Sequence, residues 1–315
     1  MTDKKVIAVV GGTGAQGGGL VRAILNDKES EFTARAITRN AGSDKAKELE
    51  KMGAEIVEAD VNDKESLAKA FDGAYGAFCV TFFWEHFSPE KEKEHAKNMA
   101  EAAKDTGVKH IIWSTLEDTR KYISIDDDRM PTLMGVYKVP HFDAKGESNM
   151  YFKNSGVPYT LINTSFYWDN FIYFGLGPQK GPDGKLAITM PMQDKKLPGI
   201  AAEDIGKTAL GVFKAGEKYQ GKTIGIAGEK LTVDEMASGF AEILGTEVGY
   251  NDVPASTFRG FDFPGAEDMG NMFQFKAEFE KEYCDARDID ETRKLNPELL
   301  SFKAWLQKNE EKIKA

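Results

Sequence analysis

Val6-Ile-Ala-Val-Val-Gly11-Gly-Thr-Gly14-Ala-Gln-Gly17-Gly-Gly-Leu20 is the stretch whose reading decides the fold. Residues 6–10 are apolar and mostly β-branched, the composition of a strand buried on both faces. A glycine-rich turn follows at once, and Leu20, Val21, Ile24 and Leu25 then recur at helical spacing. The glycines satisfy both Gly12-x-Gly14-x-x-Gly17 and Gly11-x-x-Gly14-x-x-Gly17. In a strand-turn-helix setting such glycines allow a tight turn, a close approach of backbone to a pyrophosphate, and close packing of helix on strand. The free N–H groups at the helix start and the positive end of its dipole then face the phosphates. No Lys-Ser or Lys-Thr follows, so this is a dinucleotide loop and not a mononucleotide P-loop.

Strands and helices alternate outward from that stretch. Residues 32–38 read as a second strand and 45–52 as a helix stopped by Gly53. Residues 54–60 make a third strand, and Asp63 caps the helix that carries Leu67, Ala70 and Phe71. A fourth strand lies within 73–81, and Ser88-Pro89 opens a long helix with serine as cap and proline in the first turn. His110 to Thr115 is a fifth strand, 141–154 a helix, and 158–163 a sixth strand. Repeated βα units with right-handed crossovers predict an α/β fold, a Rossmann-type doubly wound parallel sheet, over residues 1–164.

Beyond Thr164 the pattern breaks, and residues 165–315 read as a smaller α+β lobe interleaved with the end of the sheet. Residues 165–174 are aromatic-rich, as either a pocket for a flat ring or a core would be. A hairpin is expected around Pro182-Asp-Gly184, helices over 203–215 and 233–244, and a strand over 223–227 between them. Residues 258–279 are rich in Phe and Gly without a clear period, and a last helix is expected over 297–312.

Composition narrows the function. A net charge of −10 and the absence of any basic stripe argue against direct nucleic-acid binding. No apolar run is long enough to span a membrane, and Met1-Thr-Asp-Lys-Lys leads straight into the first strand, leaving no room for a signal peptide. Two cysteines do not make a disulfide framework, and Cys79 within an apolar strand reads as a buried, inert thiol. The expected location is the cytoplasm, with the nucleus open to it as well. The histidines and cysteines show no metal-ligand spacing, so no metal site is expected.

The choice of cofactor is made after the second strand. NAD-selective sites place an acid there for the ribose hydroxyls; this chain has Thr38-Arg39-Asn40, and Arg39 can pair bidentately with a 2′-phosphate. NADP(H) is therefore the expected cofactor. Asp60, closing the third strand, is placed to meet the adenine edge or simply to form a turn.

Gly11-Gly-Thr-Gly-Ala-Gln-Gly17, Ile37-Thr-Arg-Asn40, Thr81-Phe-Phe-Trp-Glu85 and His141-Phe-Asp-Ala-Lys-Gly-Glu147 together resemble the NmrA-like family of atypical short-chain dehydrogenases/reductases. Tyr167-Trp-Asp-Asn170, Pro178-Gln-Lys180, Phe263-Pro-Gly-Ala266 and Arg293-Lys-Leu-Asn-Pro297 carry the likeness almost to the C-terminus, and it is greatest to the NADPH-sensor type of that family. The resemblance implies cofactor contacts at Gly11, Gly12, Thr13, Gly14, Ala15, Gln16 and Arg39. It implies others at Asp60, Val61, Thr81, Phe82, Phe83, Lys145, Tyr167, Trp168, Asp169 and Asn170. The segment after Arg39, Asn40-Ala-Gly-Ser-Asp44, departs from the family's basic run there, so phosphate selectivity leans on Arg39 alone.

Short-chain reductases of the usual kind combine Ser with Tyr-x-x-x-Lys on one helix, where positions four apart share a face. The lysine holds the nicotinamide ribose and lowers the tyrosine pKa, so that tyrosine delivers the proton. Ser114 fits the serine and Lys145 the lysine, but His141 stands where tyrosine is needed, and Tyr137 precedes Pro140, outside the helix. His141 reads as either a substitute acid or a hydrogen-bonding strut. The expectation is an NADP(H)-binding redox sensor with little or no dehydrogenase turnover, acting through a regulatory protein partner or as a homodimer. The alternative is an NADPH-dependent reductase of quinones or related carbonyl compounds.

Overall fold

The structure, a computed structural model, describes residues 4–314. The N-terminal half follows the expected alternation: β1 (Lys5–Val10), α1 (Ala15–Asn26), β2 (Phe32–Thr38), α2 (Asp44–Lys51), β3 (Glu55–Glu58), α3 (Lys64–Phe71), β4 (Gly76–Cys79), α4 (Pro89–Asp105), β5 (His110–Thr115), α5 (Pro140–Lys153) and β6 (Tyr159–Asn163). Ile7, Ala8 and Val9 are sealed from solvent on both faces, as their composition requires. The caps are where residue type places them. The side chains of Ser43, Asp63 and Ser88 accept from backbone N–H groups in the first turns of α2, α3 and α4.

Past β6 come β7 (Phe166–Tyr167), α6 (Asn170–Tyr173), β8 (Gln179–Lys180), β9 (Leu186–Met190), β10 (Leu197–Ile200) and α7 (Ala202–Lys214). Next are β11 (Lys222–Gly225), β12 (Glu229–Leu231), α8 (Val233–Leu244) and β13 (Val248–Asp252). The chain ends in α9 (Ala255–Arg259), α10 (Ala266–Glu278), α11 (Glu280–Asp285), α12 (Ile289–Leu295), α13 (Phe302–Lys308) and α14 (Glu310–Lys314).

The main sheet has seven strands in the order β11-β6-β5-β4-β1-β2-β3, every pair parallel. The strand order reverses between β1 and β4, and open α/β sheets bind ligands at that switch point, beyond the carboxyl ends of the strands. β11, from the second half of the chain, completes the sheet beside β6, and α7 packs on α1. That packing is close because it is glycine against glycine: a Cβ on Gly206 would strike the backbone of Gly19 and Leu20. Two small sheets, β12-β10-β7 and β13-β9-β8, with helices α6 and α8 to α14, form the rest of the second half. The hairpin joins β8 to β9, with Gly184 in the left-handed region at φ 77°.

Two expectations need correction. Residues 258–279 contain a thirteen-residue helix, α10, which showed no period because it is buried on several sides; Asp268, Asn271, Phe273, Phe275 and Lys276 are all inside. The last helix starts only after Ser301, whose hydroxyl accepts from the N–H of Ala304, and it breaks at Asn309. Pro297 belongs to the turn before it.

Candidate functional site

The glycine loop is built as its residues dictate. Gly11 takes φ 64°, and a Cβ on Gly12 would come within 2.7 Å of the Ala36 Cβ. Gly14 is the N-cap of α1, with no side-chain cap and no acidic residue in the first turn, unlike α2, α3 and α4. The first N–H groups of α1 are thus left facing the switch point for an anion from outside the chain. The residues fit a pyrophosphate.

Arg39 stands past the end of β2 and is exposed, but its guanidinium donates to the carboxylate of Glu85 from the turn after β4. That hydrogen bond pushes the Arg39 pKa up from its ordinary value. Asp60 accepts from the backbone N–H and the side-chain amide of Asn62 at 2.9 and 2.7 Å, which holds its carboxyl below the usual range. The carbonyl of Val61 accepts from Asn98 at 3.0 Å.

Lys145, one turn into α5, reaches the end of β4. Its ammonium pairs with Glu92 at 2.7 Å, donates to the carbonyl of Thr81 at 3.3 Å, and lies 5.1 Å from the centre of the Trp113 ring. Glu92, on α4, is fully buried and also accepts from the Thr81 hydroxyl, with His86 Nε2 at 3.5 Å. Burial drives the Glu92 carboxyl up, but the Lys145 charge and the surrounding hydrogen bonds more than reverse this and hold it at about 2.

Ser114, on β5, donates to Gln16 Oε1 at 2.6 Å, and the amide of Gln16 donates to the Tyr167 hydroxyl, also at 2.6 Å. One glutamine from the helix after the glycine loop thereby links the reductase-type serine to a phenol from β7. Burial pushes the Tyr167 pKa up to about 12, the opposite of what a proton-donating tyrosine in a reductase needs.

His141, in the first turn of α5, is buried. Its Nδ1 lies 2.6 Å from Asp268 Oδ1, and its backbone N–H donates to Asp268 Oδ2 at 3.1 Å. The Asp268 carboxylate, from α10, therefore orients the imidazole and caps a helix that has no cap of its own. The ring of Trp84 lies 4.7 Å from that of His141, centre to centre, and also covers Gly265, where a Cβ would come within 2.7 Å of it.

The other expected site residues divide. Thr13 lies across from Thr38, their hydroxyls 3.4 Å apart. Phe82 is exposed, whereas Phe83 is buried beside His141 with ring centres 6.0 Å apart. Trp168 is buried in the second half among Phe302 and Trp305, and Asp169 accepts from the N–H of Ala202 at the start of α7. Asn170 begins α6 on the same segment. Glu92 and Asp268 were not legible as site residues in the sequence, and the pairing of Glu85 with Arg39 was not either. Glu92 is one acid among several in Pro89-Glu-Lys-Glu-Lys-Glu94, and nothing local marks it as the one that points inward.

The NmrA-like family model matches residues 3–306. The chain belongs to the NmrA-like family. It is 30% identical to the NmrA-like family domain-containing oxidoreductase FrzB of Cladobotryum sp, over 86% of this chain and 83% of that protein. It is also 30% identical to the oxidoreductase cpsB of Aspergillus campestris, over 87% and 83% of the two chains. Among solved structures, it resembles that of Nmra, a negative transcriptional regulator, in complex with NADP. There the TM-score is 0.78 at 25% identity, covering 96% of this chain and 94% of the other. A structure of the same regulator is in complex with NAD. Triphenylmethane reductase of Citrobacter sp., complexed with NADP(H), shares the fold with a TM-score of 0.76 at 22% identity, covering 96% and 99%. Among the described residues no helix is long and apolar enough to cross a membrane.

Proposed function

We propose that this chain binds NADP(H) at the glycine loop and responds to it as a regulatory sensor, with little or no dehydrogenase turnover. Gly11 to Gln16 would hold the pyrophosphate and Arg39 the 2′-phosphate, and Ser114 and Lys145 face the nicotinamide end. The bound nicotinamide would supply hydride. The observation that carries the reading is the pair of commitments on α5: His141 is tied to Asp268 and Lys145 to Glu92. No tyrosine shares a helix face with the lysine, and the Tyr167 phenol, joined to Ser114 through Gln16, is a weakened acid. Loss of a positioned proton donor costs typically ~10²–10⁴-fold in rate.

The response would begin at Arg39. A 2′-phosphate competes with Glu85 for the guanidinium, and release of Glu85 frees the turn that carries Trp84. Trp84 covers His141 and Gly265, so the displacement reaches the start of α10. A protein partner or a second copy of the chain would read that change. A second reading, NADPH-dependent reduction of quinones, is favoured by the oxidoreductase names of the relatives and by the Ser114-Gln16-Tyr167 chain. A reduced quinone is a delocalised anion that takes its proton from water, so it does not need the missing tyrosine.

Titration of wild type and Arg39→Ala with NADPH and NADH tests the reading, together with NADPH oxidation against aldehydes and quinones. NADPH is expected to bind roughly tenfold to a hundredfold more tightly than NADH, the worth of one charge-assisted contact. Arg39→Ala should erase most of that difference. Equal affinities in the wild type would sink the NADP assignment, and brisk aldehyde reduction abolished by His141→Ala would replace the sensor with an enzyme.

A further inference from the structure

The turn between β4 and α4 reaches both ends of the site with two adjacent residues. Phe83, Trp84 and Glu85 form one short helical turn, and the N–H groups of His86 and Phe87 close it by donating to the Phe83 carbonyl at 3.1 and 2.8 Å. Phe87 takes φ 52°, a left-handed conformation that a bulky side chain adopts only where its surroundings impose it, as in switch segments. Glu85 points outward to Arg39, and His86, the next residue, points inward. The inward ring has only one way to carry its proton. A backbone N–H can only donate, so the contact from Ser88 N–H to His86 Nδ1 at 3.0 Å leaves that nitrogen unprotonated. The proton of the neutral ring is then on Nε2, which faces Glu92 Oε2 at 3.5 Å. Both atoms are buried, and neither has a hydrogen-bond partner elsewhere among the described residues. Glu92 Oε1 is already taken by Lys145 at 2.7 Å and by the Thr81 hydroxyl. The rings of Phe83 and His95 meet the imidazole edge-on, with centres 5.8 and 5.2 Å away, so His86 leaves its place only if the turn moves with it.

We infer that this turn is a lever between the two ends of the cofactor site, and that His86 is the positioning residue through which a 2′-phosphate on Arg39 is felt at Lys145. The inference rests on the cofactor reading above and gives that site its regulation. While Glu85 holds Arg39, the His86 Nε2–H is kept against Glu92 Oε2, and its partial positive charge offsets part of the carboxylate's charge. A 2′-phosphate that takes Arg39 from Glu85 frees the turn, which moves as one piece because its own hydrogen bonds fix Glu85 and His86 relative to each other. His86 then withdraws from Glu92, whose Oε2 is left without a donor. The field beside Lys145 becomes more negative. An oxidised nicotinamide ring is a cation and a reduced one is neutral, so the change favours the oxidised ring. The 2′-phosphate therefore does more than add affinity: it shifts the redox preference of the site toward NADP⁺, relative to the preference between NAD⁺ and NADH.

The test is calorimetric titration of the whole protein with NADP⁺, NADPH, NAD⁺ and NADH at one pH and ionic strength. The coupling is the oxidised-to-reduced ratio of Kd with the 2′-phosphate, divided by the same ratio without it. In the wild type this quotient should be about one-fifth, the low end of couplings between two sites. A merely structural His86 would scale all the constants together and leave the quotient unchanged on substitution. His86→Asn keeps an oxygen to accept from Ser88 N–H but is too short to reach Glu92, so the quotient should return to within about twofold of one. Glu85→Gln cuts the other arm of the lever and should do the same, and it decides alone should His86→Asn not fold. A wild-type quotient within about twofold of one, a quotient above that, or the wild-type value kept in either folded variant overturns the inference and leaves the cofactor reading in place. Failure of every form to bind overturns the cofactor reading itself, and this inference with it.

Discussion

Lys145 on α5 and Lys276 on α10 are both buried amines, and the molecule treats them in opposite ways. Lys145 meets a buried carboxylate, a hydroxyl and a carbonyl, so its positive charge is matched group for group. Lys276 meets aromatic rings and, a little further off, another cation. A buried charge is tolerated where an opposite charge replaces the lost hydration, and where none does, the group gives up its proton. Burial alone therefore does not tell what a lysine does. The first arrangement fixes a cation beside the end of β4, and the second lowers the pKa of the amine because nothing near it replaces the lost hydration.

The sharpest way to break this comparison is to take the carboxylate from Lys145. Glu92→Ala strands a buried ammonium and should destabilise the fold by about 3–5 kcal/mol in denaturant unfolding. Since the Glu92 carboxyl is held at about 2 against an ordinary 4.5, its contribution is complete above pH 4.5 and is lost as pH falls toward 2. The variant should therefore lose less stability than wild type across that window. A change below about 1 kcal/mol at neutral pH would mean the pair is not coupled as its geometry implies.

Lys276 should behave in the reverse sense. Its amine is held near 7 in the fold against an ordinary 10.5, so the unfolded chain binds the extra proton. The penalty is full below pH 7 and fades as pH rises toward 10.5. Arg287, Glu117 and the Tyr283 hydroxyl are the charged and titratable groups facing it, and Lys276→Met leaves all three in place. Lys276→Met should be more stable than wild type by about 1–3 kcal/mol at pH 6.5, with the advantage shrinking by pH 9. A gap that does not vary with pH would show that Lys276 keeps its proton on folding.

The exposed pair Arg39–Glu85 sharpens the contrast from the solvent side, where charges are cheaply replaced by water. Glu85→Gln should change stability by less than ~0.5 kcal/mol and raise NADPH affinity about twofold to fivefold, with NADH affinity unchanged. A fall in NADPH affinity would show that Glu85 does not compete with the 2′-phosphate.

The sequence by itself determined the framework and the glycine loop that follows its first strand. Those features rest on local rules: a buried strand must be continuously apolar, a glycine loop must follow it, and a helix needs its cap within three residues. Ser88 and Asp63 cap where they were expected to, and Ile7 to Val9 are buried as their β-branched run requires. Only the tertiary structure decided which charges meet. Glu92 is drawn from a helix whose acids and lysines alternate as on a solvated face, and Asp268 reaches His141 across 127 residues of chain. α10 carries both Asp268 and Lys276, and it left no period to read because its surroundings bury it on several sides. Spacing along a chain reports which face of an element turns inward. The partner waiting on that face is set by packing between distant segments, and from it come the charge of a buried group and its chemistry.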